Sequence, residues 1–210
     1  KHKTGVAGIH IDKNTGKNAI TVIRGAPESL TIEEINLSKI DQSKIFLTQL
    51  EVPLDVTLYC LKKSKENGLI NILNPAPACK LNNDFFSVVD YFTPNENEAE
   101  FYTGVKIKNE NDAKKSAKKL IEMGIKNVII TLGEKGLFYS NGKDEIYLGA
   151  SNVKVIDTTG AGDAFNGGFA LALLKGKKIK ECLKFANRVA GISTTKLGAG
   201  NSMPTLAELT

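Results

Sequence analysis

Four short apolar runs, IFLTQL (45–50), LINILN (69–74), VVDYFT (88–93) and NVIITL (127–132), are separated by stretches with helical spacing. This alternation restricts the fold more than any other feature of the chain. A strand that passes through a helix to a second strand re-enters the same sheet in parallel. The expected class is therefore α/β, a doubly wound, mostly parallel sheet with helices on both faces. Helices are predicted within VPLDVTLYCLKKSKENG, where Gly68 suits the stop, near Leu81–Ser87, from Glu96, and over about Asn111–Met123. A hairpin, GLFYSNGKDEIYLG (136–149), a run VKVID (153–157) expected as a strand, and helices over about Asp163–Leu174 and Ile179–Thr194 follow.

The first segment departs from this rhythm. GVAGIHID (5–12) and NAITVIR (18–24) alternate with period two and flank Lys13-Asn14-Thr15-Gly16, so they read as a β-hairpin, an edge flap or lid. Residues 1–26 are assigned to this small β lid and 27–210 to the α/β core. Thr31-Ile32-Glu33-Glu34 reads as a capping box opening a short helix.

A chain of 210 residues can bury one sizeable core, and no run in it approaches the roughly 20 apolar residues of a membrane span. The opening KHKTGVAGIH lacks the apolar core of a secretory signal. The net charge of +5 is almost wholly lysine, with Arg24 and Arg188 the exceptions, and the lysines alternate with acids as in NENDAKKSAKKLIEM. That pattern describes a solvated surface; base readout favours Arg, so no nucleic-acid partner and no membrane are expected. Cys60, Cys79 and Cys182 lie far apart without metal spacing, which suits reduced thiols and a cytoplasmic location.

In an open α/β sheet, ligands bind beyond the carboxyl ends of the strands. Those ends read Gln49-Leu50-Glu51, Asn74-Pro75-Ala76-Pro77, Thr93-Pro94-Asn95-Glu96, Thr131-Leu132-Gly133 and Asp157-Thr158-Thr159. Turn chemistry explains any one of them; five on one rim point to a shared site. After the last, Gly160-Ala161-Gly162 leads into an apolar helix that opens with Asp163. Backbone amides at a helix N-terminus favour an anion. An acid there either complements the helix dipole or serves as a base beside a bound phosphoryl group.

The longer run D-T-T-G-A-G-D-A-F-N-G-G-F (157–169) resembles the second signature of the ribokinase-like (PfkB) carbohydrate kinases. GVA, GAPES, QLE, NPAPA, TPNENEAE, TLGEKG and FANRVAGISTTKLGAGNSMP carry the resemblance through nearly all of the chain. It implies ATP-dependent phosphorylation of D-ribose to D-ribose 5-phosphate, with fructose, 2-keto-3-deoxygluconate and nucleosides as competing acceptors. It also implies Asp163 as general base and Gly160, Ala161 and Gly162 as anion hole. Asn95 and Glu98 match the pair that organises Mg²⁺ and phosphate, Glu98 through water, while Asn95 also suits a helix N-cap.

By the same resemblance Thr131, Leu132, Gly133, Glu134, Lys135 and Gly136 form the loop that carries ATP, and Asn187 a nucleotide-side contact. Lys135 suits a solvated lysine equally well. Glu51 matches a sugar-hydroxyl acceptor, or closes its strand as a rim residue. A K⁺ site is implied at the Asp157 carboxylate, the carbonyls of Thr159, Ser193, Lys196 and Gly198, and Ser202, with K⁺ acting as a structural activator. ATP, Mg²⁺ and K⁺ are thus the expected cofactors, and a second copy paired through the lid the expected partner. The family normally begins with a strand bearing an acidic sugar contact and then a Gly-Gly substrate loop. Neither is present, so about the first third of a family-length chain, and a last helix, are expected to lie outside this sequence. A nucleotide-binding remnant without turnover is the competing reading. Retention of Asp163, Gly160, Gly162, Asn95 and Glu98 opposes it.

Overall fold

The computed structural model describes residues 3–13 and 18–209. The chain divides into two compact units, one built mainly from Gly25–Gly133 and Leu137–Tyr147, the other from Gly5–Arg24, Glu134–Gly136 and Leu148–Thr210.

In the second unit, β1 (Val6–Ile11) and β2 (Asn18–Ile23) form the expected antiparallel hairpin, registered from Val6 opposite Ile23 to Ile11 opposite Asn18. Asn14, Thr15 and Gly16 of the expected turn lie outside the described residues. The capping box is present in the first unit: the Thr31 N–H donates to Glu34 Oε2 at 3.0 Å, and the short helix it opens is a 3₁₀ turn, Ile32–Glu34.

The first unit then runs β3 (Ile45–Thr48), α1 (Leu54–Glu66), β4 (Ile70–Leu73), α2 (Asn83–Val88), β5 (Tyr91–Phe92), α3 (Glu96–Thr103), α4 (Glu110–Glu122), β6 (Asn127–Thr131), β7 (Leu137–Ser140) and β8 (Glu145–Leu148). The strands form one sheet in the order β3-β4-β5-β6-β7-β8. β3 to β6 are parallel, and β7 returns antiparallel to β6. The strand–helix alternation therefore produced the mostly parallel sheet it predicted. α4 shows why its sequence is helical: Ala113, Ser116, Ala117 and Leu120 fall on one buried stripe, while Asn109 Oδ1 caps the start by accepting from the Asp112 N–H at 3.1 Å. Its lysines face solvent, and Lys114 reaches Glu145 at 2.6 Å. Phe86, Phe92, Leu73, Leu120, Val128 and Ile130 centre the core, with Phe92 edge-on to Tyr102 at 5.4 Å.

Two expected strands differ. Of VVDYFT only Tyr91–Phe92 joins the sheet, because Val88 completes α2 and the Asp90 side chain, in place of a ladder carbonyl, takes the Asn71 N–H at 3.0 Å. VKVID forms no strand. The N–H groups of Ile156 and Asp157 both donate to one carbonyl, Thr194, at 2.8 and 3.1 Å, which leaves no ladder, and Val155 and Ile156 are exposed. Thr194 follows α6 (Ile179–Ser193), which packs on α5 (Ala161–Leu174) with Val189 and Ala186 against Gly168.

Asp90 ties the amino ends of the parallel strands together. Its carboxylate also accepts from Lys65 at 2.5 Å and Lys126 at 3.2 Å. Burial pushes its pKa up, but the Asn71 amide and the two ammonium groups outweigh burial and hold it below the ordinary carboxylate value. A depressed acid contributes stability that is present above its unfolded pKa and is lost as pH falls through the folded one. Asp90→Asn is expected to cost about 1–3 kcal/mol at pH 7 and to flatten the acid limb of stability against pH, measured by urea denaturation.

Candidate active site

The carboxyl ends of the four parallel strands are stitched side by side. The Leu50 N–H donates to Ala76 O at 2.9 Å, the Asn74 N–H to Thr48 O at 3.0 Å, the Thr93 N–H to Leu73 O at 3.0 Å, and the Thr131 N–H to Pro94 O at 3.0 Å. Four of the five expected rim segments thus share one edge, with Glu51 exposed on it. The fifth, Asp157-Thr158-Thr159, belongs to the other unit and follows no strand.

Asn95 and Glu98 form a reciprocal cap at the start of α3. The Glu98 N–H donates to Asn95 Oδ1 at 2.9 Å. The Asn95 N–H and Nδ2 donate to the two oxygens of Glu98, each at 2.8 Å. The N-cap role of Asn95 is therefore present, and it aims a buried carboxylate. Burial raises the Glu98 pKa to about 7 against the lowering by the two Asn95 hydrogen bonds. A carboxylate so poorly solvated gains from a cation, and each oxygen keeps a lone pair beyond its Asn95 bond, so the pair fits Mg²⁺ held through water.

Beyond β6, Gly133–Lys135 make one 3₁₀ turn and Gly136 follows at φ +96°. A Cβ on Gly136 would stand 1.9 Å from Leu148 O, so only glycine fits. Asn187 Nδ2 donates to Gly149 O at 2.7 Å, and Ser151 Oγ donates to Asn187 O at 3.3 Å. Asn187 thus holds the 149–151 segment in this structure.

The glycine stretch differs from a loop. Gly160 is the N-cap of α5, and Ala161, Gly162 and Asp163 are its first three residues. The Ala161 N–H is used by Thr158 O at 3.2 Å. The amides of Gly162 and Asp163 are of the kind a helix cannot satisfy from within itself. Asp163 is exposed, and a Cβ on Gly162 would meet nothing within 4 Å, so the helix end faces open space. Gly160 reaches this geometry at φ +76°, where Met203 and Ala199 lie against it.

Asp157 braces the approach. It is 1 % exposed; Oδ1 accepts from the Thr159 N–H at 2.9 Å and Oδ2 from the Gly198 N–H at 2.8 Å. Burial raises its pKa, yet the Thr159 and Gly198 bonds together leave it lowered. Asp157, Thr159 and Gly198 are thus brought together. The Lys196 N–H bonds Ser193 O at 3.4 Å, the Lys196 ammonium pairs with Glu208, and Ser202 Oγ donates to Ala199 O at 2.6 Å. Of the expected cation set, Thr159 and Gly198 meet Asp157 through their N–H groups, and the Ser193 carbonyl accepts from Lys196. Among the described residues no three His, Cys, Asp or Glu side chains cluster as a metal site. Sequence reading missed Thr194, whose carbonyl fixes Ile156 and Asp157, and Met203 against Gly160. A carbonyl leaves no mark in the sequence. Gly160→Ala forces a left-handed residue that costs about 1–2 kcal/mol and crowds Met203, so its melting temperature should fall and anion binding at α5 weaken, as read by thermal shift with and without phosphate.

Comparison with known proteins places the chain in a family. The family described as "pfkB family carbohydrate kinase" matches residues 1–206. The ribokinase of Haemophilus influenzae is 44% identical over 208 residues, 98% of this chain and 67% of that protein. The Thermotoga maritima ribokinase structure superposes with a TM-score of 0.87 at 40% identity, covering 99% of this chain and 69% of that one. The Arabidopsis thaliana ribokinase structure, complexed with ribose and ATP, gives 0.88 at 29% identity, covering 99% and 68%. The chain thus spans about two thirds of the length of these relatives. With 206 of its 210 residues matched, this chain belongs to the pfkB family of carbohydrate kinases.

Proposed function

We propose that the chain transfers the γ-phosphoryl group of ATP to the 5-hydroxyl of D-ribose, giving D-ribose 5-phosphate and ADP. The observation that carries this reading is the exposed carboxylate of Asp163 in the first turn of α5, beside amides presented by left-handed Gly160. Relatives named ribokinase at 44% and 40% identity, one further relative holding ribose and ATP, support the choice of sugar.

Phosphoryl transfer needs positioning and charge stabilisation more than covalent chemistry. Asp163 accepts the proton of the sugar hydroxyl as that oxygen attacks phosphorus; the bond from phosphorus to the bridging oxygen of ADP breaks, and the proton later leaves to solvent. The amides of Gly162 and Asp163 stabilise charge on the equatorial oxygens, aided by the positive end of the α5 dipole. Glu51 accepts from a sugar hydroxyl on the rim. Thr131–Gly136 carry the nucleotide, and Asn187 acts on that side by fixing the 149–151 segment. Asn95 and Glu98 would hold Mg²⁺ through water, and that ion would neutralise phosphate charge. Asp157, Ser202 and the carbonyls of Thr159, Ser193, Lys196 and Gly198 would hold K⁺, an electrostatic support for the helix end. The β1–β2 hairpin serves as lid. Its exposed Val6, Ile9, Ile20, Val22 and Ile23 suit pairing with a second copy. No described helix is long and apolar enough to cross a membrane, and a cytoplasmic sugar kinase is the reading we adopt.

The test is D-ribose-dependent ADP release in Mg²⁺ and K⁺. Asp163→Asn keeps the fold and should lower kcat by about 10²–10⁴-fold, the usual worth of a positioned base. Release only with another acceptor moves the substrate and keeps the chemistry. Bound ATP without release from any acceptor supports the remnant instead.

A further inference from the structure

Asn74 follows β4 at the carboxyl edge of the sheet and is 7 % exposed. Its buried polar neighbours on that edge are tied down. Thr93 Oγ1 donates to Leu73 O at 3.5 Å, and the Glu98 carboxylate accepts from Asn95. Among the described residues the Asn74 side chain makes no hydrogen bond. A buried amide left in that state is costly, and folded proteins keep few of them.

Turn chemistry does not account for it. An Asn side chain often bends the chain by bonding the backbone two residues on. Here the main chain makes the bend: the Ala76 N–H donates to the carbonyl of Asn74 at 2.8 Å, and the Asn74 N–H donates to Thr48 O at 3.0 Å. The backbone fixes the position and leaves the amide idle. Nor is the amide sealed in the core. No described side-chain nitrogen or oxygen is both shut off from water and unbonded, so the small exposed part of Asn74 includes its amide tip.

The flanks decide what such an amide can meet. β3 leads to Glu51 on one side of β4, and β5 leads to the Asn95–Glu98 pair on the other. Ionised carboxylates only accept. Asn95 Nδ2 is turned onto Glu98 Oε1 at 2.8 Å. A sugar hydroxyl can donate, so the acids suit it already. A phosphoryl oxygen can only accept, and Asn74 Nδ2 offers it two N–H groups at no cost in charge.

We infer that Asn74 is a phosphate-binding residue, whose Nδ2 donates to an oxygen of the phosphoryl group in transit from ATP. This rests on the proposed kinase reaction. The backbone of Asn74 is fixed before any ligand arrives, as a donor to developing charge requires.

Wild type, Asn74→Ala and Asn74→Asp of the full chain test it. Alanine removes no hydrogen bond, so the melting temperature should change little while kcat falls about 10²-fold, the lower end of what one lost donor of this kind costs. KM for D-ribose should stay within about twofold, since the bond belongs to phosphate and not to sugar. Aspartate keeps the shape but brings no donor and a charge of the wrong sign, so its kcat should fall below that of Asn74→Ala. Asn74→Asp more active than Asn74→Ala overturns the inference, because shape or an acceptor is then what counts. So does a loss confined to KM for D-ribose, or an unchanged kcat in both variants. The readout without turnover is the side-chain ¹⁵Nδ2–¹H₂ pair of Asn74, identified as the pair missing from Asn74→Ala. Mg²⁺ and ATP without sugar should move it downfield; a pair that stays in place at saturating ATP overturns the inference. Wild type that releases no ADP with D-ribose overturns the proposed function alone, and the Asn74 pair then decides for or against the inference.

Discussion

The buried carboxylate of Asp157 is the constraint on which the α5 end of the structure depends. By accepting from Thr159 on one oxygen and Gly198 on the other, it joins two segments 41 residues apart in sequence. A buried charge survives only when so paired. Here the bonds also leave the carboxyl ionised through the neutral range, since its pKa lies below the ordinary value. The chain beyond it has to enter α5 through a left-handed glycine. That entry spends no capping side chain on the helix's first amides, for Gly160 has none to offer. Most helices satisfy those groups with Ser, Thr, Asp or Asn; at α5 the Ala161 N–H is taken by the carbonyl of Thr158 instead.

The contrast with α3 is instructive. Both helices carry acids in the first turn, but α3 closes its own start. Asn95 and Glu98 satisfy one another reciprocally, and the product is a fixed, poorly solvated carboxylate with a pKa near 7. In the proposed reaction one helix start would receive an anion, and the other offers an acid that a cation would stabilise. Phosphoryl transfer from a metal-bound nucleotide asks for both kinds of group. The sheet supplies the rim: parallel strands place every β-to-α connection of the first unit on one edge, and main-chain bonds from β3 to β6 continue past the strands into that edge.

Much of this was legible in the residues. Alternating apolar runs and helical spacing gave the parallel sheet, and the carboxyl-end segments QLE, NPAP, TPNE and TLG fell on its rim, because strand direction follows from the crossover rule. The N-cap role of Asn95 was legible in the residues, while the pairing with Glu98 came from the family resemblance. VKVID was not: its β-branched alternation looks like a strand, but a strand also needs a neighbour, and here the available partner was the single carbonyl of Thr194. The residues place the helix start at Asp163, yet Ala161 and Gly162 already lie in its first turn. Helix ends tolerate what helix interiors do not. The cation donors were least visible, for most are carbonyls and any residue carries one.

The central claim is that the first-turn amides of α5 receive the phosphoryl group. It is tested most directly by following the ¹⁵N–¹H resonances of the full chain as ADP, Mg²⁺ and fluoroaluminate, a mimic of the transferring group, are added with D-ribose. The account predicts that Gly162 and Asp163 move furthest, in the downfield sense of an amide gaining a charged acceptor. If those two signals stay in place while saturating ligand shifts others, the phosphoryl group binds elsewhere and the account is wrong.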